Sequence, residues 1–127
     1  MNLLIDAHAL VWFLNGDKRL PESVRDAIED TENDRFVSIA TIWEIAIKTS
    51  LGKFHYPGGF KNFLELVDEN SFDLLPVSTE HTLLVSSLKF IHRDPFDRLL
   101  VAQAMINKLT IVTKDTKIKK YNINTLW

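Results

Sequence analysis

Short apolar runs alternate along this chain with longer stretches of helical spacing, and the alternation predicts strands and helices in turn from end to end. Asn2 to Ile5 is an apolar run of strand length, and Ala7 to Leu14 carries helical spacing that stops at Asn15-Gly16-Asp17. Leu20-Pro21-Glu22 opens a second helix reaching about Asp30, with the proline near its first turn, where a missing N–H is tolerated. Phe36 to Ile39 reads as a strand and leads into a helix over Thr41 to Leu51, which ends at Gly52, a natural C-terminal glycine. Tyr56-Pro57-Gly58-Gly59 is a turn, after which Phe60, Phe63, Leu64 and Val67 recur at i, i+3, i+4 and i+7, the spacing of one helix face. Phe72 to Val77 is strand-like despite Pro76, and Thr79 to Leu88 is a helix capped by Ser78 or Thr79. Asp94-Pro95 opens a helix over Phe96 to Lys108, Leu109 to Thr113 is a strand, and Asn122 to Trp127 is the candidate for a last one. This rhythm implies an α/β fold, a parallel sheet with helices on both faces.

Composition narrows the picture. At 127 residues and 46% apolar, the chain can bury one core, so residues 1–127 are expected to form one domain. The absence of cysteine excludes disulfides, zinc-thiolate sites and thiol nucleophiles. Met1-Asn2-Leu3-Leu4-Ile5-Asp6 has no basic n-region, and no apolar run approaches the roughly 20 residues that span a bilayer. A soluble, cytoplasmic protein is the expectation. The net charge of -2 argues weakly against a passive nucleic-acid binder, but charge is unevenly spread. Acids dominate between Asp17 and Asp34, whereas Lys108, Lys114, Lys117, Lys119 and Lys120 surround Asp115 alone. A basic rim about one acid suits a phosphate backbone, and it also reads as a solvated surface.

Four carboxylates, Asp6, Glu44, Asp97 and Asp115, sit where an apolar strand gives way to a turn or helix, or within the helix that follows. Each has an ordinary explanation. Asp6 suits the N-cap of the helix at Ala7, and Glu44 suits a pair with Lys48 or a Thr41-x-x-Glu44 capping box. Asp94 as N-cap, Pro95 at N1 and Asp97 at N3 would satisfy a helix terminus, and an Asx-turn would account for Asp115. Capping does not, however, require four strand-associated acids in a fold whose ligand crevice lies beyond the carboxyl ends of its strands. Converging carboxylates repel, by roughly 4 kcal/mol per pair at ~4 Å and an effective dielectric near 20, so such a cluster makes sense mainly around a hard divalent cation.

Other chemistries find no support. The glycines Gly16, Gly52, Gly58 and Gly59 form neither a dinucleotide fingerprint nor a P-loop, and no G-x-S-x-G elbow exists. His8, His55, His81 and His92 show no H-E-x-x-H pattern. An aspartyl phosphatase would want a second Asp where His8 stands, and a receiver domain would need an acceptor Asp in mid-chain that is missing.

The motifs Leu3-Leu4-Ile5-Asp6-Ala7-His8, Ser38 to Ile45, His92-Arg93-Asp94-Pro95-Phe96-Asp97 through Ala104, and Val112-Thr113-Lys114-Asp115 together carry a family likeness. The chain resembles PIN-domain ribonucleases, and closely the VapC toxins of prokaryotic toxin–antitoxin pairs, along its whole length to Asn124-Thr125-Leu126-Trp127. The resemblance implies a PIN-like fold with Asp6, Glu44, Asp97 and Asp115 as the acidic quartet that binds Mg²⁺ or Mn²⁺. It implies that Thr113 holds a metal-bound water and that Asp97 rather than Asp94 is the ligand; Asp94 is left between a place beside the metal-bound water with Thr113 and the N-cap that helix physics favours. A metal-activated water would then hydrolyse RNA, tRNA or ribosomal RNA, leaving a 5'-phosphate and a 3'-hydroxyl. Arg93, Arg98, Lys114 and Lys117, with Lys119 and Lys120, are candidates for backbone contacts, Arg98 having the alternative of pairing with an acid. The family further implies a homodimer neutralised by a VapB-like antitoxin lying in a hydrophobic groove. Trp12, Phe13, Phe54, Tyr56, Phe60 and Phe63 are candidates for that groove, although the core is the ordinary place for most of them. The alternative reading is a catalytically inactive PIN-fold module that acts only through its antitoxin partner.

Overall fold

The computed structural model describes residues 1–127 and contains a fully parallel five-stranded sheet in the order β3-β2-β1-β4-β5. In chain order the elements are β1 (Asn2–Ile5), α1 (Ala7–Asn15), α2 (Glu22–Glu29), β2 (Asp34–Ser38), α3 (Ile39–Ser50), α4 (Gly59–Glu69), β3 (Asp73–Leu75), α5 (Thr79–Ser87), α6 (Pro95–Asn107), β4 (Thr110–Val112) and β5 (Thr125–Leu126). A 3₁₀ turn over Ile118–Lys120, unread in the sequence, separates β4 from β5.

Alternating side chains of β1 show how the layers form. Leu3 and Ile5 enter one core with residues of α1, α2, α3 and α4, among them Leu10, Phe13, Val24, Ile28, Ile45 and Phe63. Leu4, between them, points to the opposite face and packs with Leu100, Val101, Ala104, Ile111 and Ile118. A strand's period of two thus places helices on both faces, as expected.

Local chemistry sets the ends of several elements. Gly16, at φ 62°, closes α1 by donating to Phe13 and Trp12 carbonyls, a left-handed geometry that glycine adopts without Cβ strain. Ser78 caps α5 in a reciprocal box with His81, whose Nδ1 accepts the Ser78 N–H. The helix after β2 begins at Ile39 with Ser38 as cap, two residues earlier than the spacing predicts. Thr41 is therefore buried inside the helix and forms no capping box with Glu44. Pro76, which has no N–H for a ladder, limits β3 to Asp73–Leu75 rather than Phe72 to Val77, and β5 is only Thr125–Leu126.

The order of the strands creates the crevice. Successive connections step from β1 to β2 to β3 on one side, and the chain then crosses to the far side of β1 to form β4 and β5. The carboxyl ends of β1 and β4 lie together at this reversal, tied by the Asp6 N–H donating to Val112 O at 3.2 Å. That is where open parallel sheets bind ligands.

Candidate active site at the carboxyl edge of the sheet

Asp6 ends β1 and begins α1 in one residue. Its Oδ1 accepts the Ala9 N–H at 2.9 Å, so it is the N-cap the sequence allowed, and it is also buried at the floor of a cleft of about 660 Å³. Burial raises its pKa, against the Thr113 hydroxyl, the Ala9 amide and His8, which favour the charged form. Thr113 follows β4, is fully buried, and its Oγ1 accepts the Asp115 N–H at 3.0 Å.

Glu44 lines the same cleft from α3 and pairs with Lys48 at 3.0 Å, the i, i+4 pair its spacing allowed. Asp94 Oδ1 accepts the N–H groups of Phe96 and Asp97 at 2.8 and 3.2 Å, which makes Asp94 the N-cap of α6. Asp97 stands in the first turn of that helix, facing the cleft. Burial, then the neighbouring Asp94, Glu44 and Asp115 charges, push its carboxyl from 3.8 up to about 7, with His92 opposing them. Asp115 behaves differently: burial alone would raise it, but hydrogen bonds from His92 and the amides of Ile118 and Lys117 outweigh burial and lower it.

The cleft thus brings together all four acids of the quartet, with Asp94 at its edge. It also contains His92, which opens one of the family motifs but has no role in the sequence reading. His92 is buried in the loop before α6, and its Nε2 lies 3.0 Å from Asp115 Oδ2 and 3.1 Å from Asp97 Oδ2. Ligand atoms of His92, Asp97 and Asp115 all fall within 4.8 Å of one another. The available signal was its place two residues before the Asp94 cap, which no periodicity distinguishes from an ordinary loop histidine.

Basic side chains separate into two groups. Lys114 and Lys117 line the cleft, joined by Arg19 and Lys48, which the sequence did not single out for this role. Arg19 and Lys114 each lie 4.7 Å from the centre of the Trp12 ring. Arg98 is a correction. It is buried, donates to the carbonyls of Val85, Leu88 and Lys89 at the end of α5, and covers the Phe90 ring at 4.3 Å. Its guanidinium is therefore engaged with backbone, neither with an acid nor toward the cleft. Arg93 is exposed but outside the cleft lining, as are Lys119 and Lys120. Most of the candidate groove aromatics are core: Trp12, Phe13, Tyr56 and Phe63 are buried, with Phe54 and Phe60 packed against them, and of these Trp12 and Phe54 also line the cleft. The most exposed large apolar side chains are Phe90, Leu83, Trp43, Met1 and Leu51.

The donor set fits a hard divalent cation. It is rich in carboxylate oxygen and contains no sulfur, and the elevated proton affinity of Asp97 reflects burial first and then repulsion from Asp94, Glu44 and Asp115, which a cation would relieve. No helix is long and apolar enough to cross a membrane.

The sequence matches the PIN domain family over residues 3–124, and the chain belongs to that family. Among solved structures it is similar to VapBC2 from Rickettsia felis bound to a DNA fragment from its promoter, with a TM-score of 0.77 at 15% identity, covering 100% of this chain and 99% of the other. VapBC-1 from nontypeable Haemophilus influenzae gives a TM-score of 0.74 at 13% identity, covering 99% and 97%. DNA-bound VapBC from Salmonella typhimurium gives 0.70 at 15% identity, also covering 99% and 97%. At these identities the likeness establishes a shared fold. No curated protein sequence matches the chain.

Proposed function

We propose that this PIN-domain chain is a VapC-like toxin, a Mg²⁺- or Mn²⁺-dependent endoribonuclease of a cytoplasmic toxin–antitoxin pair. The observation that carries the proposal is the convergence of Asp6, Glu44, Asp97 and Asp115 on one cleft at the strand reversal. A divalent cation bound there would supply Lewis acidity toward a water molecule and a phosphodiester. Asp97 and Asp115, with Asp6 and Glu44, would hold it. Asp6 is fixed by the Ala9 amide, and Asp115 by the Lys117 and Ile118 amides at 2.7 and 3.1 Å, so the carboxylates are oriented before any ligand arrives. Thr113 orients the Asp115 backbone and favours the ionised Asp6. Lys114 and Lys117 are at hand for the phosphates of the substrate.

RNA rather than DNA is the substrate suggested by the motif resemblance, and the chemistry requires no 2'-hydroxyl, so a 5'-phosphate and a 3'-hydroxyl are the expected products. The VapBC complexes among the structural neighbours support a VapB-like antitoxin as partner. A homodimer is the assembly we propose for the toxin.

The test is cleavage of a pooled tRNA and ribosomal RNA preparation by antitoxin-free protein in Mg²⁺ or Mn²⁺, beside Asp6→Asn, an EDTA control and single-stranded DNA. Discrete RNA cuts that require both Asp6 and metal are expected. Equal cutting by the Asp6→Asn protein, or in EDTA, would sink the proposed mechanism.

A further inference from the structure

His92 belongs to no acid pair that a metal-dependent nuclease requires, yet the fold fixes it from three directions. Its backbone N–H and that of Ile91 donate to the Tyr121 hydroxyl at 3.0 and 3.2 Å, while that hydroxyl donates to Lys89 O at 2.8 Å. The loop carrying His92 is thereby pinned to the segment that follows the 3₁₀ turn. The ring is fixed in turn by the Asp94 N–H, which donates to Nδ1 at 3.1 Å. Nδ1 therefore carries a lone pair, and in the neutral ring the proton resides on Nε2. That N–H faces Asp115 Oδ2 at 3.0 Å, with Asp97 Oδ2 3.1 Å from the same nitrogen.

We infer that His92 is a positioning residue that braces Asp115 through its Nε2–H, beside Asp97, and does not itself ligate the metal. The inference rests on the reading of the carboxylates as a metal site. A histidine that ligates through one nitrogen ordinarily donates from the other to a carboxylate or carbonyl. Here the second nitrogen accepts. Freeing Nε2 for a metal would move the proton to Nδ1, where it would meet the Asp94 N–H head-on at the cap of α6. Asp115 shows the complementary design, with Oδ1 accepting the Lys117 and Ile118 amides and Oδ2 accepting His92. Each carboxylate oxygen has a second lone pair, so bracing leaves both acids able to bind a cation.

The experiment uses the full chain, with Mg²⁺ and Mn²⁺ alone as ligands. Two-bond ¹H–¹⁵N spectra assign the ring proton without metal and at saturating Mg²⁺, and calorimetric titration compares wild type, His92→Ala and His92→Gln. We expect Nε2 protonated in both states, a 10–100-fold weaker metal Kd for His92→Ala, the range typical of lost outer-shell partners, and substantial recovery in His92→Gln, which restores an N–H donor. Loss of the Nε2 proton on Mg²⁺ binding would make His92 a ligand and overturn the inference. Wild-type affinity in a folded His92→Ala protein would overturn it while leaving the nuclease reading intact. Should His92→Ala fail to fold, the wild-type spectra and His92→Gln decide. Absence of metal binding by the wild type would bring down the metal site and this inference together.

Discussion

Asp94 Oδ1 accepts the backbone N–H of Asp97 at 3.2 Å, so the acid that caps α6 holds in place the backbone of the acid that faces the cleft. Two carboxylates one turn apart thus have separate tasks. The division has an electrostatic cost, because the Asp94 charge is second only to burial in raising Asp97.

Substitutions separate the two tasks. Asp94→Ala should lower stability by about 1 kcal/mol through the lost cap, whereas Asp94→Asn, which keeps an accepting oxygen, should be nearly neutral. Asp97→Asn should abolish metal binding while leaving the metal-free protein as stable as wild type or more so, since it removes a charge that is buried among like charges. Urea unfolding in EDTA, paired with a Mg²⁺ titration, measures both effects. A clear loss of metal-free stability in Asp97→Asn would contradict the account of its surroundings.

Metal-free stability should depend on pH with a definite sign. Asp97 titrates at about 7 in the folded protein against 3.8 as a free carboxylate, so between those values the folded state binds more protons than the unfolded chain. Stability therefore falls as pH rises through that window and levels off above it, and Asp6, also raised, acts in the same direction. Asp115, lowered, contributes stability above 3.8 that is lost on acidification below it. Urea midpoints measured in EDTA from pH 4 to 8 should show the decline, and Asp97→Asn should flatten it.

Saturating Mg²⁺ should reverse that decline, because the metal binds the ionised carboxylates and only the folded state assembles them. At 100 times Kd the gain is about 2.7 kcal/mol. Melting curves with and without metal at pH 7.5 provide the check, and an unchanged Tm at millimolar Mg²⁺ would count against the site.

The two classes of basic residue should respond differently. Arg98→Ala leaves the Leu88 carbonyl without its donor, while Val85 and Lys89 keep backbone and Tyr121 donors, and should cost about 1 to 3 kcal/mol, with secondary loss of activity. Lys117→Ala should change stability by less than about 0.5 kcal/mol but weaken RNA cleavage and flatten its salt dependence. Denaturation midpoints together with cleavage rates at several salt concentrations distinguish the two.

The order of strands and helices was legible because it rests on short-range physics: the periods of two and of 3.6, glycine and proline punctuation, and caps such as Asp94 and Ser78. The acids were legible for the same reason, since Asp6 and Asp115 follow strands that any parallel sheet must present at one edge, and the family motifs singled out Asp97 over Asp94. Tertiary structure alone decided what depends on partners distant in sequence. His92 gains its role from Asp115, Arg98 turns inward because the carbonyls ending α5 lie beside it, and Trp12 and Phe63 are core because helices cover both sheet faces. A side chain's neighbours within one turn are fixed by spacing along the chain, whereas the direction it faces across a crossover is fixed only once the strands have taken the order β3-β2-β1-β4-β5.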